Sequence, residues 1–214
     1  HIISFITSNP GAYKVKNEIE KRIAANPGQY PEKPWVVIFT SGTNEEDTTF
    51  IQSEEPVSSK YPGKSRKLII ATNVAEFGLT IPTDKAGYDL RYVVDSGYSL
   101  NFTFDADIYG TVMETKLVAK ANIEQRCGRT GRKGDGFCIR MYSEEDFNNL
   151  NQYPSPEMEN EDYTDNFISF LDTPSIGGLL PALKFTYELL TPPTRSNIKN
   201  AVKNLEYHNL VSKE

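Results

Sequence analysis

Between Ile123 and Gly134 the chain reads IEQRCGRTGRKG, and these residue types suit phosphate chemistry. If residues 119–132 are helical, Gln125, Arg129 and Arg132 fall at i, i+4 and i+7, on one face. Two guanidiniums and an amide aimed the same way make an electropositive claw. Arginine suits that role because its planar fork binds phosphate oxygens two at a time and keeps its charge. Gly128 and Gly131 leave the neighbouring surface bare, so a phosphate can come close. The plain alternative is a solvated basic helix. Against it, each glycine inside a helix costs about 1 kcal/mol and needs a reason.

A second run, KLIIATNVAEFGLTIP (residues 67–82), reads as a buried strand ending in Ala71-Thr72-Asn73. A short turn with Glu76, Gly78 and Thr80 follows. Small hydroxyl and amide groups at the carboxyl end of a strand are well placed to hold phosphate or ribose. Taken alone, such a loop is more often structural than functional.

The elements that must carry these runs alternate. Ile2–Thr7, Trp35–Thr40, Leu68–Thr72, Tyr92–Val94 and Phe137–Tyr142 are short apolar runs rich in strand-forming residues. A helical pattern over Tyr13–Ala25 places Val15, Ile19 and Ile23 on one face. Strand and helix in alternation predict an α/β fold, a parallel sheet with helices on both faces. Ser99–Phe104 and Thr111–Val118 flank a turn-rich segment and predict a projecting β-hairpin. The chain thus divides into residues 1–145 as the α/β domain, 146–170 as an acidic linker, and 171–214 as a small, mainly helical extension. In that extension Thr191 before Pro192-Pro193 reads as a helix N-cap, and a strand could close the chain.

Of 214 residues, 38% are hydrophobic and 24% charged, enough to bury a core. The net charge of −6 is unevenly spread: residues 1–142 carry 18 Lys and Arg against 17 Asp and Glu, and residues 143–214 carry 5 against 12. Phosphate binding is therefore expected in the first part, because charge is screened over short distances. The acidic 143–165 stretch reads as a solvated connector. No apolar run approaches a membrane span, so no membrane partner is expected. The chain opens without Met inside an apolar run and is expected to be a piece of a longer protein. Cys127 and Cys138 read as unpaired thiols, which fits a reducing, intracellular compartment (cytosol or nucleus). Neither they nor His1 and His208 make a metal-ligand set.

Two patterns are decoys. Gly63-Lys64-Ser65 lacks the upstream glycine of a phosphate loop, since Ser58 stands there, and KYPGKSRK reads as an exposed basic loop. The glycines at 128, 131, 134 and 136 do not form a dinucleotide fingerprint.

Together, ATNVAEFGLTI and Gln125-Arg126-Cys127-Gly128-Arg129-Thr130-Gly131-Arg132 resemble motifs V and VI of superfamily 2 helicases of the DEAH-box and viral DExH type. IISFITS resembles motif IV, and RYVVDSGY resembles the family's YVVDPGF. LLTPPTRSNIKNAVKNLEYHNLV looks like the start of the winged-helix domain that follows such motors. The resemblance implies the second RecA-like lobe of an NTP-dependent nucleic-acid helicase. Arg129 and Arg132 would be arginine fingers, with Gln125 ordering the γ-phosphate or attacking water. Thr80, Gly78 and Glu76 would face the nucleotide, and Phe50 would stack on its base. Thr7, Thr72, Asn73 and Lys120 would touch the nucleic-acid backbone. The hairpin would act as a wedge or clamp at a strand junction.

No phosphate-loop lysine and no DExH acid occur in the sequence, so ATP or another NTP with Mg²⁺ would need a first lobe. The chain alone is expected to be inactive. RNA is the expected partner, DNA a possible one. Several positions depart from the family's pattern. Pro82 replaces the ribose-binding Asp, with Asp84 two residues on, Phe77-Gly78 replaces Thr-Ser, and Asn122 replaces Ser. Pro27–Pro34 makes a longer connection. These differences fit a divergent, viral-like member. Two other readings stay open: a non-catalytic scaffold lobe, and a DNA translocase of the same superfamily.

Overall fold

The computed structural model describes residues 1–81, 89–105, 107–131 and 134–211. They form two compact units, one of His1–Leu100 with Thr115–Pro154, the other of Asn101–Glu114 with Ser155–Glu214.

In the first unit, five parallel strands lie in the order β2-β3-β1-β4-β7: β1 (Ile2–Phe5), β2 (Lys33–Phe39), β3 (Lys64–Ala71), β4 (Tyr92–Asp95) and β7 (Phe137–Arg140). All five expected strands are present. Runs such as WVVIF and LIIA are apolar without alternation because both faces of the sheet are covered there, even at the edge strand β2. On one face helix α1 (Asn9–Ala25) packs with Ala12 against Val36 and Ile70. On the other, Ile3, Phe5, Val37, Phe39, Ile69 and Val93 form the larger core with residues from the helices between strands. Helix α1 begins four residues before the expected Tyr13. Ser8 caps it by accepting from the Gly11 N–H at 3.3 Å, and Pro10 fits the first turn, where no N–H is needed.

Strand β3 starts at Lys64, so Lys64–Lys67 is strand rather than the expected exposed basic loop. Lys67 is buried. Its ammonium donates to the carbonyls of Phe50 (2.7 Å), Ile51 (2.9 Å) and Ser53 (2.7 Å), closing the end of α2 (Glu45–Ile51). Burial pulls its pKa down to about 8, while the three acceptors hold the charged form in place. Lys67→Met strands those carbonyls and is expected to cost about 1–3 kcal/mol in urea unfolding. A loss below a few tenths would show that water replaces the ammonium.

The predicted hairpin is β5 (Tyr98–Asp105) with β6 (Gly110–Leu117). Its distal residues, Asn101–Glu114, group with the second unit. That unit is helical around a core of Tyr163, Phe167, Ala182, Ile198, Ala201 and Leu205. Two expectations need correcting here. The 146–170 segment is not only a linker, because α8 (Thr164–Leu171) buries Phe167 completely, next to Tyr163, in this core. The N-cap of α10 (Arg195–Tyr207) is Thr194, whose hydroxyl accepts from the Asn197 N–H at 3.2 Å. Thr191 and the two prolines lie ahead of it. Thr194→Ala should lower this unit's stability by about 1 kcal/mol in thermal unfolding, whereas Thr191→Ala should leave it unchanged.

Candidate functional site at the carboxyl edge of the sheet

In a parallel sheet the loops at the carboxyl ends of the strands gather along one edge. Thr7 follows β1 there, half-buried, and Thr72 follows β3, buried, with its N–H donating to the Phe39 carbonyl. Asn73, Gly78 and Thr80 are exposed around the short α4 (Val74–Gly78), and the Gly78 carbonyl accepts from Gln52 Nε2 at 3.4 Å.

The helix expected over 119–132 is shorter. α5 runs Lys120–Cys127 and stops at Gly128. Three features end it: two glycines of low helix propensity, Gly131 in the left-handed region (φ 80°), and Thr130 donating to the Leu90 carbonyl at 2.6 Å. Gln125 is therefore an exposed helix residue, Arg129 belongs to the turn beyond it, and Arg132 lies outside the described residues. Arg129 is half-buried; its Nη1 donates to the Leu79 carbonyl (2.8 Å) and its Nη2 to the Glu76 carbonyl. The two runs singled out in the sequence thus meet through this side chain.

Beneath them lies a network that sequence reasoning missed. Arg126 is fully buried between two carboxylates. Its Nε and Nη2 reach Glu76 Oε1 (2.8 and 2.7 Å), and its Nη1 reaches Asp95 Oδ1 (2.7 Å). The remaining carboxylate oxygens are also satisfied. Asn122 Nδ2 donates to Glu76 Oε2 (2.8 Å) and Tyr142 Oη to Asp95 Oδ2 (2.8 Å). The Gly97 N–H adds a third donor to Asp95, at 3.0 Å to Oδ1. One cation and two anions fit underground only because every lone pair facing inward has a donor. Burial, then the bond to Asp95, pushes the Tyr142 phenol well above its ordinary pKa, so it stays a donor. Gly97 is required by its φ of 79° and by Tyr142, whose ring carbon would lie 2.6 Å from any added Cβ. One signal was available: Arg126 stands three residues after Ile123 and so shares its inward face.

Two assignments change. Glu76 is 2% exposed with both oxygens engaged, so it braces the loop and does not face a nucleotide. Phe50 is 5% exposed, packed against Trp35 and Tyr61 at centroid distances of 5.1 and 5.6 Å, and has no face left for a base. Lys120 gives its ammonium to the Asn148 carbonyl at 2.9 Å. Cys127 and Cys138 are not unpaired: their sulfurs are joined, with Cα atoms 5.5 Å apart. Pro82 and Asp84 lie outside the described residues. No helix among the described residues is long and apolar enough to cross a membrane, and none of their His, Cys, Asp and Glu gather in threes that could hold a metal ion.

No protein-family model matches the chain. It is 38% identical over 147 residues to the putative ATP-dependent RNA helicase L540 of Acanthamoeba polyphaga mimivirus, covering 68% of this chain and 20% of that protein. It is 34% identical over 152 residues to the probable ATP-dependent RNA helicase DHR1 of Saccharomyces cerevisiae, covering 71% of this chain and 11% of that one. The chain belongs to the DEAH-box helicase family. It spans a fifth or less of the length of these family members. Two crystal structures of the Escherichia coli DExH-box protein HrpB superpose over 99% of the chain, with TM-scores of 0.77 and 0.78. They cover 23% and 24% of those chains at 20% and 21% identity, and that likeness supports the RecA-like α/β fold. The viral and eukaryotic family members matched are both named as ATP-dependent RNA helicases.

Proposed function

We propose that the chain is the second motor lobe of an NTP-dependent RNA helicase and the start of its winged-helix domain. The carrying observation is Arg129, whose bonds to the Glu76 and Leu79 carbonyls join the QRCGRTGR run to the ATNVAEFGLTI run. Gln125 and Thr80 are exposed beside them in sequence.

In this reading Arg129 and Arg132 stabilise the charge that spreads over the γ-phosphoryl oxygens as the bond to the leaving group lengthens. Gln125 orients the γ-phosphate or the attacking water. Thr80 and Gly78 lie on the nucleotide side, and Thr7 and Asn73 contact the RNA backbone, while the buried Thr72 holds the turn after β3 through its N–H bond to the Phe39 carbonyl. Mg²⁺, when bound, would supply neutralisation of phosphate charge. The described residues offer no ligand set for it, so its acidic ligand and the phosphate-loop lysine belong to a first lobe. Phosphate contacts carry little sequence information and weaken with salt. The hairpin β5–β6 divides strands at a junction.

NTP hydrolysis by a longer version of the protein, with and without single-stranded RNA, tests the reading, with the 214-residue chain run in parallel. RNA-stimulated turnover by the longer protein and none by the chain is the expected result. Silence from the longer protein points to a scaffold lobe. Stimulation by DNA alone points to a translocase.

A further inference from the structure

Cys127 and Cys138 are the only cysteines in the chain, and the fold brings them together for reasons separate from the motor reading. Cys127 stands four residues after the fully buried Ile123, on the face α5 turns to the sheet. Cys138 pairs in register with Val93 of β4, so it shares the sheet face on which Val93 is buried and toward which Arg126 reaches Asp95. Their Cα separation of 5.5 Å lies inside the range of about 4.4–6.8 Å that a disulfide needs. Both side chains are half-buried, which leaves a route for small reagents.

The bond closes at the base of the nine-residue loop 128–136, the loop that carries Arg129 and Arg132. The loop is already pinned at its front by Arg129 to the Glu76 and Leu79 carbonyls and by Thr130 to the Leu90 carbonyl. Gly136 sits so close under Thr130 that a side chain there would strike its hydroxyl and the Gly131 amide. A covalent tie between the end of α5 and β7 adds a tether at the base of this stretch to the hydrogen bonds of Arg129 and Thr130.

We propose that Cys127 and Cys138 form a reversible thiol–disulfide site, a latch that fixes the arginine loop when oxidised by a small-molecule disulfide such as oxidised glutathione. The thiolate of one cysteine attacks a sulfur of the small disulfide, forming a mixed disulfide and expelling one thiolate, which takes up a proton. The second cysteine's thiolate attacks the protein-side sulfur of the mixed disulfide and expels the other. Two protein thiols lose two protons and two electrons, and one small disulfide becomes two thiols. Reduction by excess thiol reverses each step.

The site is tested on the 214-residue chain itself, by intact mass, cysteine alkylation and amide hydrogen exchange in reduced and oxidised glutathione. Oxidation should lower the mass by two hydrogens, block alkylation of both cysteines, and slow exchange across residues 128–136 at least fivefold. Excess reduced glutathione should undo all three changes. Cys138→Ser should show none of the exchange effect. Stable glutathione adducts, or two cysteines that stay open to alkylation, would overturn the site. A bond that forms without changing exchange in 128–136 would overturn the latch.

The consequence for turnover rests on the motor reading. A fixed loop cannot follow the γ-phosphate, so oxidation should reduce NTP turnover of the longer protein several-fold, and Cys138→Ser should abolish that sensitivity. Equal responses of the two proteins would remove the regulatory role. A longer protein with no turnover in either redox state would instead defeat the motor reading, with the latch still judged by mass and exchange.

Discussion

Arg129→Ala in the longer protein is expected to cut NTP turnover by ~10³–10⁵-fold while nucleotide still binds, because a finger arginine acts on charge that exists mainly in the transition state. The structure gives the same side chain a second duty, the hydrogen bonds to the Glu76 and Leu79 carbonyls. A loss of turnover could then reflect a loosened loop. Arg129→Lys separates the two. Lysine keeps a positive charge and can reach one carbonyl, but it has no planar fork for two phosphate oxygens. If the finger role holds, Arg129→Lys remains slow by at least a hundredfold, with thermal stability close to that of the parent. Near-normal turnover in Arg129→Ala would remove the finger assignment altogether.

Arg126→Met should destabilise the 214-residue chain by about 3–5 kcal/mol, because removing one partner leaves buried charges uncompensated. Here the orphaned groups are two carboxylates, Glu76 and Asp95, both almost fully buried. Urea unfolding followed by far-ultraviolet circular dichroism measures it. The midpoint should fall with an unchanged slope, since the surface exposed on unfolding stays the same. Adding Glu76→Gln to Arg126→Met should recover part of the loss by removing one of the stranded anions. A loss below 1 kcal/mol in the single variant would mean that water enters and solvates the carboxylates. The phosphate chemistry depends on this buried layer only indirectly, through the position of α4 and α5.

The five strands and their parallel pairing were legible because β2 and β3, covered on both faces, read as unbroken apolar runs, WVVIF and LIIA, and β1 and β4, more deeply buried on one face, are still short runs of strand-forming residues. The hairpin was legible from strand-forming residues around a turn. Gln125, Arg129 and Arg132 were legible only as residue types suited to phosphate. Their geometry was not, because the spacing presumed a helix through Gly128 and Gly131, and the chain leaves the helix at Gly128.

Other differences share one physical origin. Phe50 has the same covalent structure whether it stacks on a base or packs on Trp35 and Tyr61, and only the neighbours brought by β2 and α3 (Val57–Lys60) decide. Glu76 and Asp95 look like surface acids until Arg126 arrives from 50 and 31 residues away to neutralise them. Lys67 looked like part of a basic loop, yet three carbonyls at the end of α2 hold it inside. The cysteines looked unpaired because eleven residues of sequence say nothing about whether a helix end and an edge strand face each other. By itself, then, the sequence determined the sheet, the hairpin and the family, since periodicity and motif are properties of neighbouring residues. The tertiary structure decided which charges are buried, which arginine braces and which sulfurs meet, since burial and pairing are set by residues distant along the chain.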